Sequence, residues 1–489
     1  MNFNRREFLK GSLASLGFLA LDGLPVFAAP AGFKPKKQPN LVFGILADSH
    51  LMVAGDGVSP HGGFPHTYIS NAFRLFFERG IDAFVHLGDA AHRGAVRELE
   101  FHRERFEDVF GKRGGPTKLL VAGNHEYFGD CDRIRKIWPV EKVWREHAIK
   151  GDFPRNWERA WGEKFEECWH REVNGYHFFG RHWLTDEVKF AEFILSHAES
   201  CGLKGSKPFF ILSHARHHFR FCHALREFPN AVAFFGHWHQ SNADWKSIYF
   251  DKFGGFFPSI EVGACRFDGG NTLDANESVL KEKFAASGED EGKKEQDWHP
   301  NKVPSRQAMI VNIYDDFVMF ERHEVGQGGK LGPDWVLPLK WREKKDANGE
   351  SFKHPFSRDM LARRIGTPEF PAKANLEIGK NGDSLKLKIP LADGNEKSRV
   401  FAYDVVVIGD DPKKKLFKSV YFEGCNLGIG HEPDHGITAL EIPKSELPEG
   451  KTLTIAVRPL SSLGTKGSPL VVTYSIYGIR VGQAQKGIK

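Results

Sequence analysis

From Asn40 to about Val325, short apolar runs alternate with amphipathic stretches, a pattern that predicts an α/β layer fold. Over Thr67–Arg79, Ile69, Ala72, Phe73 and Phe76 recur at helical spacing, and Gly80 supplies a stop. A second helix is expected to begin near Thr185. It has Asp186 and Glu187 in its first turn, with Val188, Ala191, Ile194 and Leu195 on one face. The stretch from Glu126 to about Phe209 reads as a long insert carrying Trp138, Trp144, Trp157, Trp161 and Trp169. These are expected to pack an extra helical layer, with the lining of a substrate cleft as the other use. Residues 287–297 are polar and highly charged, and read as a loop.

After about Leu339 the texture changes, and residues 326–360 are taken as a linker. Beyond it come Leu385-Leu387-Ile389, Val405 to Ile408, Val420 to Phe422, Leu453-Ile455-Val457 and Val471 to Tyr474, separated by turn signals. About seven short strands over residues 361–489 predict a smaller all-β sandwich, similar in texture to a fibronectin type III or immunoglobulin-like module.

Composition adds little. A chain of 489 residues with 40% apolar and 27% charged positions holds two or three globular domains, and is neither disordered nor collagen-like. Six Cys without any Cys-x-x-Cys spacing exclude a disulfide scaffold and read mostly as buried free thiols. A net charge of +5 lays down no track for a polyanion.

The first thirty residues read differently. Arg5, Arg6 and Lys10 precede a mildly apolar stretch from about Leu13 to Ala28, and small residues follow, which is the anatomy of an export signal. The Arg5-Arg6-Glu7-Phe8-Leu9-Lys10 run resembles the twin-arginine signature, with Asn4 in place of Ser or Thr. Asp22 and Pro25 interrupt a stretch that barely reaches the roughly 20 residues of a spanning helix, so no anchor is expected in the mature form. The resemblance implies the twin-arginine export machinery as a partner and a periplasmic or extracellular destination.

The informative residues follow five apolar runs. LVFGIL leads to Asp48 and His50, AFVHL to Gly88-Asp89, LLVA to Gly123-Asn124-His125, FFILS to His214, and AVAFF to Gly236-His237-Trp238-His239. Sites in α/β sheets assemble at the carboxyl ends of strands, so five such ends side by side would gather oxygen and imidazole donors into one pocket. A single His or Gly-Asp after a strand would mean little. All five in order mean much more.

This order resembles the calcineurin-like metallophosphoesterase family: D-x-H, G-D, G-N-H, a single His, and G-H-x-H. The resemblance covers roughly Asn40 to Val325, and implies an αββα sandwich and two metal ions, commonly Mn, Fe or Zn. Carried over, Asp48, His50 and His239 would bind one metal and Asn124, His214 and His237 the other. Asp89 would bridge them, and His125 would be the catalytic histidine. Two cations about 3.5–4 Å apart can clamp the attacking and leaving oxygens of a phosphoester and lower the pKa of water toward about 7, so that hydroxide exists at neutral pH. The expected activity is therefore hydrolysis of a small phosphomonoester or phosphodiester.

Departures bear on the subfamily. Purple acid phosphatases have G-D-x-x-Y, and His92 stands at that tyrosine position; the Ser/Thr protein phosphatases have G-D-x-x-D-R-G, where this chain again has His92, followed by Arg93. His92, Arg93 and Arg216 are candidates for substrate contact, and His217 and His218 follow Arg216. Two other readings stay open: an envelope or carbohydrate-binding protein with a vestigial metal site, and a metal-dependent nuclease.

Overall fold

The computed structural model describes residues 37–51, 67–127, 153–243, 247–249, 256–266, 306–339, 366–392, 398–432, 436–475 and 480–483, apart from single positions 93, 113, 206 and 463. The expected export signal, Trp138, Trp144, Arg93, the charged stretch 287–297 and most of the expected linker lie outside the described residues.

Two six-stranded mixed sheets face each other. The first has β1 (Leu41–Leu46), β2 (Ala83–His86) and β3 (Thr117–Leu120) running parallel, extended antiparallel by β10 (Gln307–Ile313), β11 (Phe317–Glu324) and β12 (Trp335–Pro338), in the order β12-β11-β10-β1-β2-β3. The second runs β4 (Cys168–Val173), β5 (Tyr176–Arg181), β6 (Phe209–Leu212), β7 (Ala231–Phe235), β9 (Ser259–Glu261) and β8 (Ile248–Tyr249). Strands buried on both faces read as continuous apolar runs, and β1, β2, β6 and β7 have every residue buried.

Phe43 on β1 meets Phe178, Phe210 and Phe234 of the opposite sheet edge to face, with ring centroids 5.1–5.9 Å apart. Trp169 on β4 donates its indole N–H to the Leu120 carbonyl of the first sheet at 3.1 Å. Trp169 can lie there because its register partner is Gly180, where a Cβ would collide with the indole. Helices α1 (Thr67–Arg79), α2 (Val96–Phe110) and α3 (Phe153–Trp161) share a second core with the first sheet, and α4 (Glu187–Ser196) and α5 (Phe219–Ala224) share a third with the second. The result is the four-layer αββα arrangement.

The first expected helix forms as read, and other expectations change. Helix α1 spans Thr67–Arg79 and buries Ile69, Ala72, Phe73 and Phe76, with Gly80 at φ +62° ending it. Helix α4 starts two residues beyond Thr185, at Glu187, with Asp186 as its cap and the Asp186 carboxylate accepting from the N–H groups of Val188 and Lys189. Its buried face is Phe190, Ala191 and Ile194; Val188 and Leu195 face out, because the large Phe190 ring turns the helix onto β5 and β6. The stretch read as an insert is only partly one. Trp157 and Trp161 do pack a helical layer, but Trp169 stands in the core between the sheets, and β4, β5 and α4 are parts of the second half of the fold. Strand β12 falls inside the span taken as a linker, since Phe317–Phe320 pair with Trp335–Pro338.

Beyond residue 366 the described chain is all β. Strands β13 (Glu377–Asn381), β14 (Ser384–Ile389) and β17 (Thr438–Pro443) form one sheet. Strands β15 (Val400–Ile408), β16 (Lys415–Tyr421), β18 (Thr452–Ser461), β19 (Leu470–Ser475) and β20 (Arg480–Gln483) form another. The two enclose a separate apolar core around Tyr403, Val405, Ile455 and Val457. This unit touches the first: Ser241 hydrogen-bonds Asn426, the Ile429 N–H reaches the Lys330 carbonyl at 2.9 Å, and Arg399 donates to the Leu331 carbonyl at 3.1 Å.

Candidate metal centre

Each predicted donor sits directly after a strand. Asp48 and His50 follow β1, Asp89 follows β2, Asn124 and His125 follow β3, His214 follows β6, and His237 and His239 follow β7. The five strand ends do not lie in one row. Three belong to the first sheet and two to the second, and the facing of the sheets brings them together.

Two overlapping clusters result. In one, His239 Nε2 is 3.3 Å from Asp48 Oδ1 and 3.0 Å from His50 Nε2. In the other, His214 Nε2 lies 3.0 Å from Asn124 Oδ1, 3.2 Å from His237 Nδ1 and 3.2 Å from Asp89 Oδ2. That same Asp89 oxygen is 3.7 Å from His50 Nε2, so it stands between the clusters. The structure groups Asp48, His50 and His239 as one set of possible ligands and Asp89, His214 and His237 as another.

The loops are bent to achieve this. Six non-glycine residues among those described have positive φ, and five of them are Asp48 (51°), His50 (42°), Asp89 (52°), His237 (78°) and His239 (54°). Such backbone costs on the order of 1–3 kcal/mol per residue and persists where surrounding structure over-determines it. Two glycines let the strand ends close up. A Cβ on Gly123 would strike the Asp89 carboxylate, and one on Gly236 would strike that of Asp48.

The donor set fits a pair of cations. Ligand atoms about 2.1 Å from a shared ion stand about 3.0–3.4 Å apart, the spacing seen within each cluster. The ring of His214 is oriented from behind: the Leu87 carbonyl accepts from its Nδ1 at 2.8 Å, which directs Nε2 toward the pocket, where a cation would take the place of its proton. Charge agrees with this. Burial opposes a proton on His214, yet Asp89, Asp48 and Glu126 together push its pKa up to about 9, so the field at this point favours positive charge. Burial and the neighbouring His214 hold His237 down at about 4. His50 is lowered as well, by burial against the opposing pull of Asp89. Nitrogen and oxygen donors with no thiolate suit Mn, Fe, Zn or Co without choosing among them.

His125 stands beside the first cluster, in a group with His50 and His92 whose possible ligand atoms all lie within 4.8 Å of one another. Its Nδ1 donates to the His92 carbonyl at 2.6 Å, and its Nε2 lies 3.9 Å from Asp89 Oδ2. Its own N–H donates to Asp89 Oδ1 at 2.9 Å. Of the candidates for substrate contact, His92 comes close: its Nδ1 is 3.4 Å from His50 Nδ1, and its ring is 5.2 Å from that of His125. Arg216 stands 5.0 Å above the half-exposed ring of Trp238, the residue between His237 and His239 in sequence. His217 is buried and stacks on Phe221, and His218 is exposed and bonded to Glu187 at 3.1 Å, so neither enters the pocket.

Two residues of the site escaped the sequence reading. Trp183, just past the end of β5, lays its ring 4.9 Å from His237 and 5.6 Å from His214; the strand-end rule applied to β5 would have found it. Glu126 is fully buried, and its carboxylate accepts from the N–H groups of Asp89 (2.8 Å), Ala91 (2.9 Å) and Gly123 (2.6 Å). It thereby ties the loops after β2 and β3 into one unit. Burial, then Asp89, push it up to about 7, although the N–H donors favour its anion. No spacing marks this role, and Glu126 looked like the first residue of an insert.

Residues 41–241 match the family model described as calcineurin-like phosphoesterase. No curated protein matches the chain. Among solved structures it is similar to a dimetal phosphatase from Danio rerio, at 12% identity over 62% of this chain and 100% of that one, with a TM-score of 0.33. It is also similar to the purple acid phosphatase PPD1 from yellow lupin (Lupinus luteus) seeds, at 13% identity over 61% of this chain and 55% of that one, with a TM-score of 0.39. The match over residues 41–241 and the clusters of possible His and Asp metal ligands together support a phosphoesterase enzyme.

Replacing Glu126 by Ala would leave three buried N–H groups without a partner, each at a cost of about 1–3 kcal/mol. Manganese affinity of Glu126→Ala, measured by titration calorimetry, is expected to fall about 10–100-fold, as when partners behind a metal ligand are lost. Unchanged affinity would show that Glu126 does not hold the loops.

Proposed function

We propose that the protein hydrolyses a small phosphomonoester or phosphodiester, and that Asp48, His50 and His239 hold one cation while Asn124, His214 and His237 hold the second, with Asp89 shared. The observation that carries this reading is the Asp89 carboxylate lying within 3.7 Å of imidazole donors from both sheets. Bound there, the two ions would supply a water of lowered pKa and positive charge against the phosphate oxygens.

The chain's own residues do the rest. Asp89 offsets the repulsion of like charges. His125, with Nδ1–H committed to the His92 carbonyl, leaves Nε2 as its exchangeable position, and the imidazolium form would give its Nε2 proton to the leaving alkoxide and return to the neutral ring. His92, Arg216 and Trp238 line the approach, where a cation and an aromatic face suit an anionic ester carrying an organic group. Trp183 closes the pocket behind His214 and His237 and excludes water from that side. The loop bearing His237 and His239 is tied beyond them: the Gln240 N–H to Glu261 at 3.0 Å, the Asn242 N–H to Gln307 at 2.8 Å, and Ser241 to Asn426. The C-terminal β unit on this reading braces the metal loop.

No helix among the described residues is long and apolar enough to cross a membrane. The Arg5-Arg6 opening supports export of this phosphoesterase to the periplasm or beyond. Cell fractionation is expected to find a shortened mature form outside the cytoplasm, and a full-length form confined to the cytoplasm would refute export.

In a panel of phosphomonoesters, diesters and nucleotides, His125→Ala is expected to lose about 10²–10⁴ in kcat with bound metal unchanged. Asp89→Asn is expected to lose both turnover and metal. Full turnover in both variants, with the fold intact by circular dichroism, would overturn the proposal.

A further inference from the structure

Away from the phosphoesterase centre, the edge of the second sheet carries another converging set of donors. His170 on β4 and His177 on β5 are diagonal neighbours across the antiparallel pair, since His170 opposes Phe179 and Glu172 opposes His177. Their imidazoles turn toward each other, with His170 Nε2 3.0 Å from His177 Nδ1. The turn after α4 brings in Cys201, whose Sγ lies 3.8 Å from the same His170 Nε2. The three possible ligand atoms all stand within 4.8 Å of one another.

We propose that His170, His177 and Cys201 form a second, separate metal site for a zinc-class divalent cation. Nitrogen and sulfur donors about 2.0–2.3 Å from a tetrahedral zinc stand about 3.3–3.6 Å apart, and the two measured spacings, 3.0 and 3.8 Å, bracket that range. A hydrogen bond between the two imidazoles would satisfy one pair of atoms only; His170 Nε2 is the focus of two neighbours at once, and a cation serves all three.

The donor chemistry separates the two metal sites. The phosphoesterase donors are nitrogen and oxygen only, whereas a thiolate with two imidazoles selects softer ions such as zinc, cobalt or copper over manganese. Three protein ligands leave the fourth position to water. The site joins the β4–β5 edge to the turn that follows α4, an architectural role independent of the phosphoesterase reading.

Cobalt(II) added to the full chain tests it. A near-ultraviolet thiolate-to-cobalt charge-transfer band is expected, and it should vanish in Cys201→Ser and persist in Cys222→Ser, whose thiol lies on α5. Zinc-loaded Cys201→Ser should hold one fewer zinc ion per chain, with phosphoesterase turnover unchanged. Should that variant fail to fold, His177→Gln leaves every thiol in place and should shift the cobalt titration of the band to higher concentration. Absence of the band in the unaltered chain, or its survival in Cys201→Ser, would overturn the assignment.

Discussion

The Asp89 carboxylate is the point on which the two halves of the molecule converge. One oxygen reaches His214 from the second sheet and His50 from the first, and the other accepts the N–H of His125. Such a carboxylate lowers the mutual repulsion of like charges on either side of it, which is what a paired-cation centre requires. Its position depends on the spacing of the sheets, set by Phe43 against three phenylalanines and by the Trp169 indole on Leu120. Burial alone would raise Asp89, but His214, His50 and His125 outweigh it and hold the carboxyl well below its usual range.

From that contact the local strain becomes intelligible. Five donors occupy left-handed backbone, a conformation that favours glycine and that local propensity would not select. Hydrogen bonds from fixed partners hold it: Asp48 accepts from the His237 N–H at 2.9 Å, and Glu126 accepts from Asp89 and Gly123. The core supplies the energy that keeps these loops bent, and the loops supply the chemistry.

Much of this was legible in the linear order of residues, because a buried parallel strand reads as an unbroken apolar run and the donors come directly after it. The helix at Thr67–Arg79 was legible for a similar reason, a repeat of apolar positions closed by Gly80. What the order of residues hides is the pairing of strands. That β1–β3 and β6–β7 belong to different sheets is a long-range fact with no local mark. The hairpin of β4 and β5, whose exposed positions interrupt the apolar pattern, passed as insert, and with it went Trp183 and the His170–His177–Cys201 cluster. Glu126 was invisible for a different reason: its three partners are backbone N–H groups, which leave no trace in side-chain pattern.

Hydrolysis at this centre requires Asp48, His50, Asp89, Asn124, His214, His237 and His239 to gather around two cations. Anomalous diffraction from crystals grown with manganese measures this directly. Two peaks about 3.5–4 Å apart, flanking the Asp89 carboxylate, are the predicted result. A single peak or none among these side chains, at full manganese and with the fold intact, would contradict it.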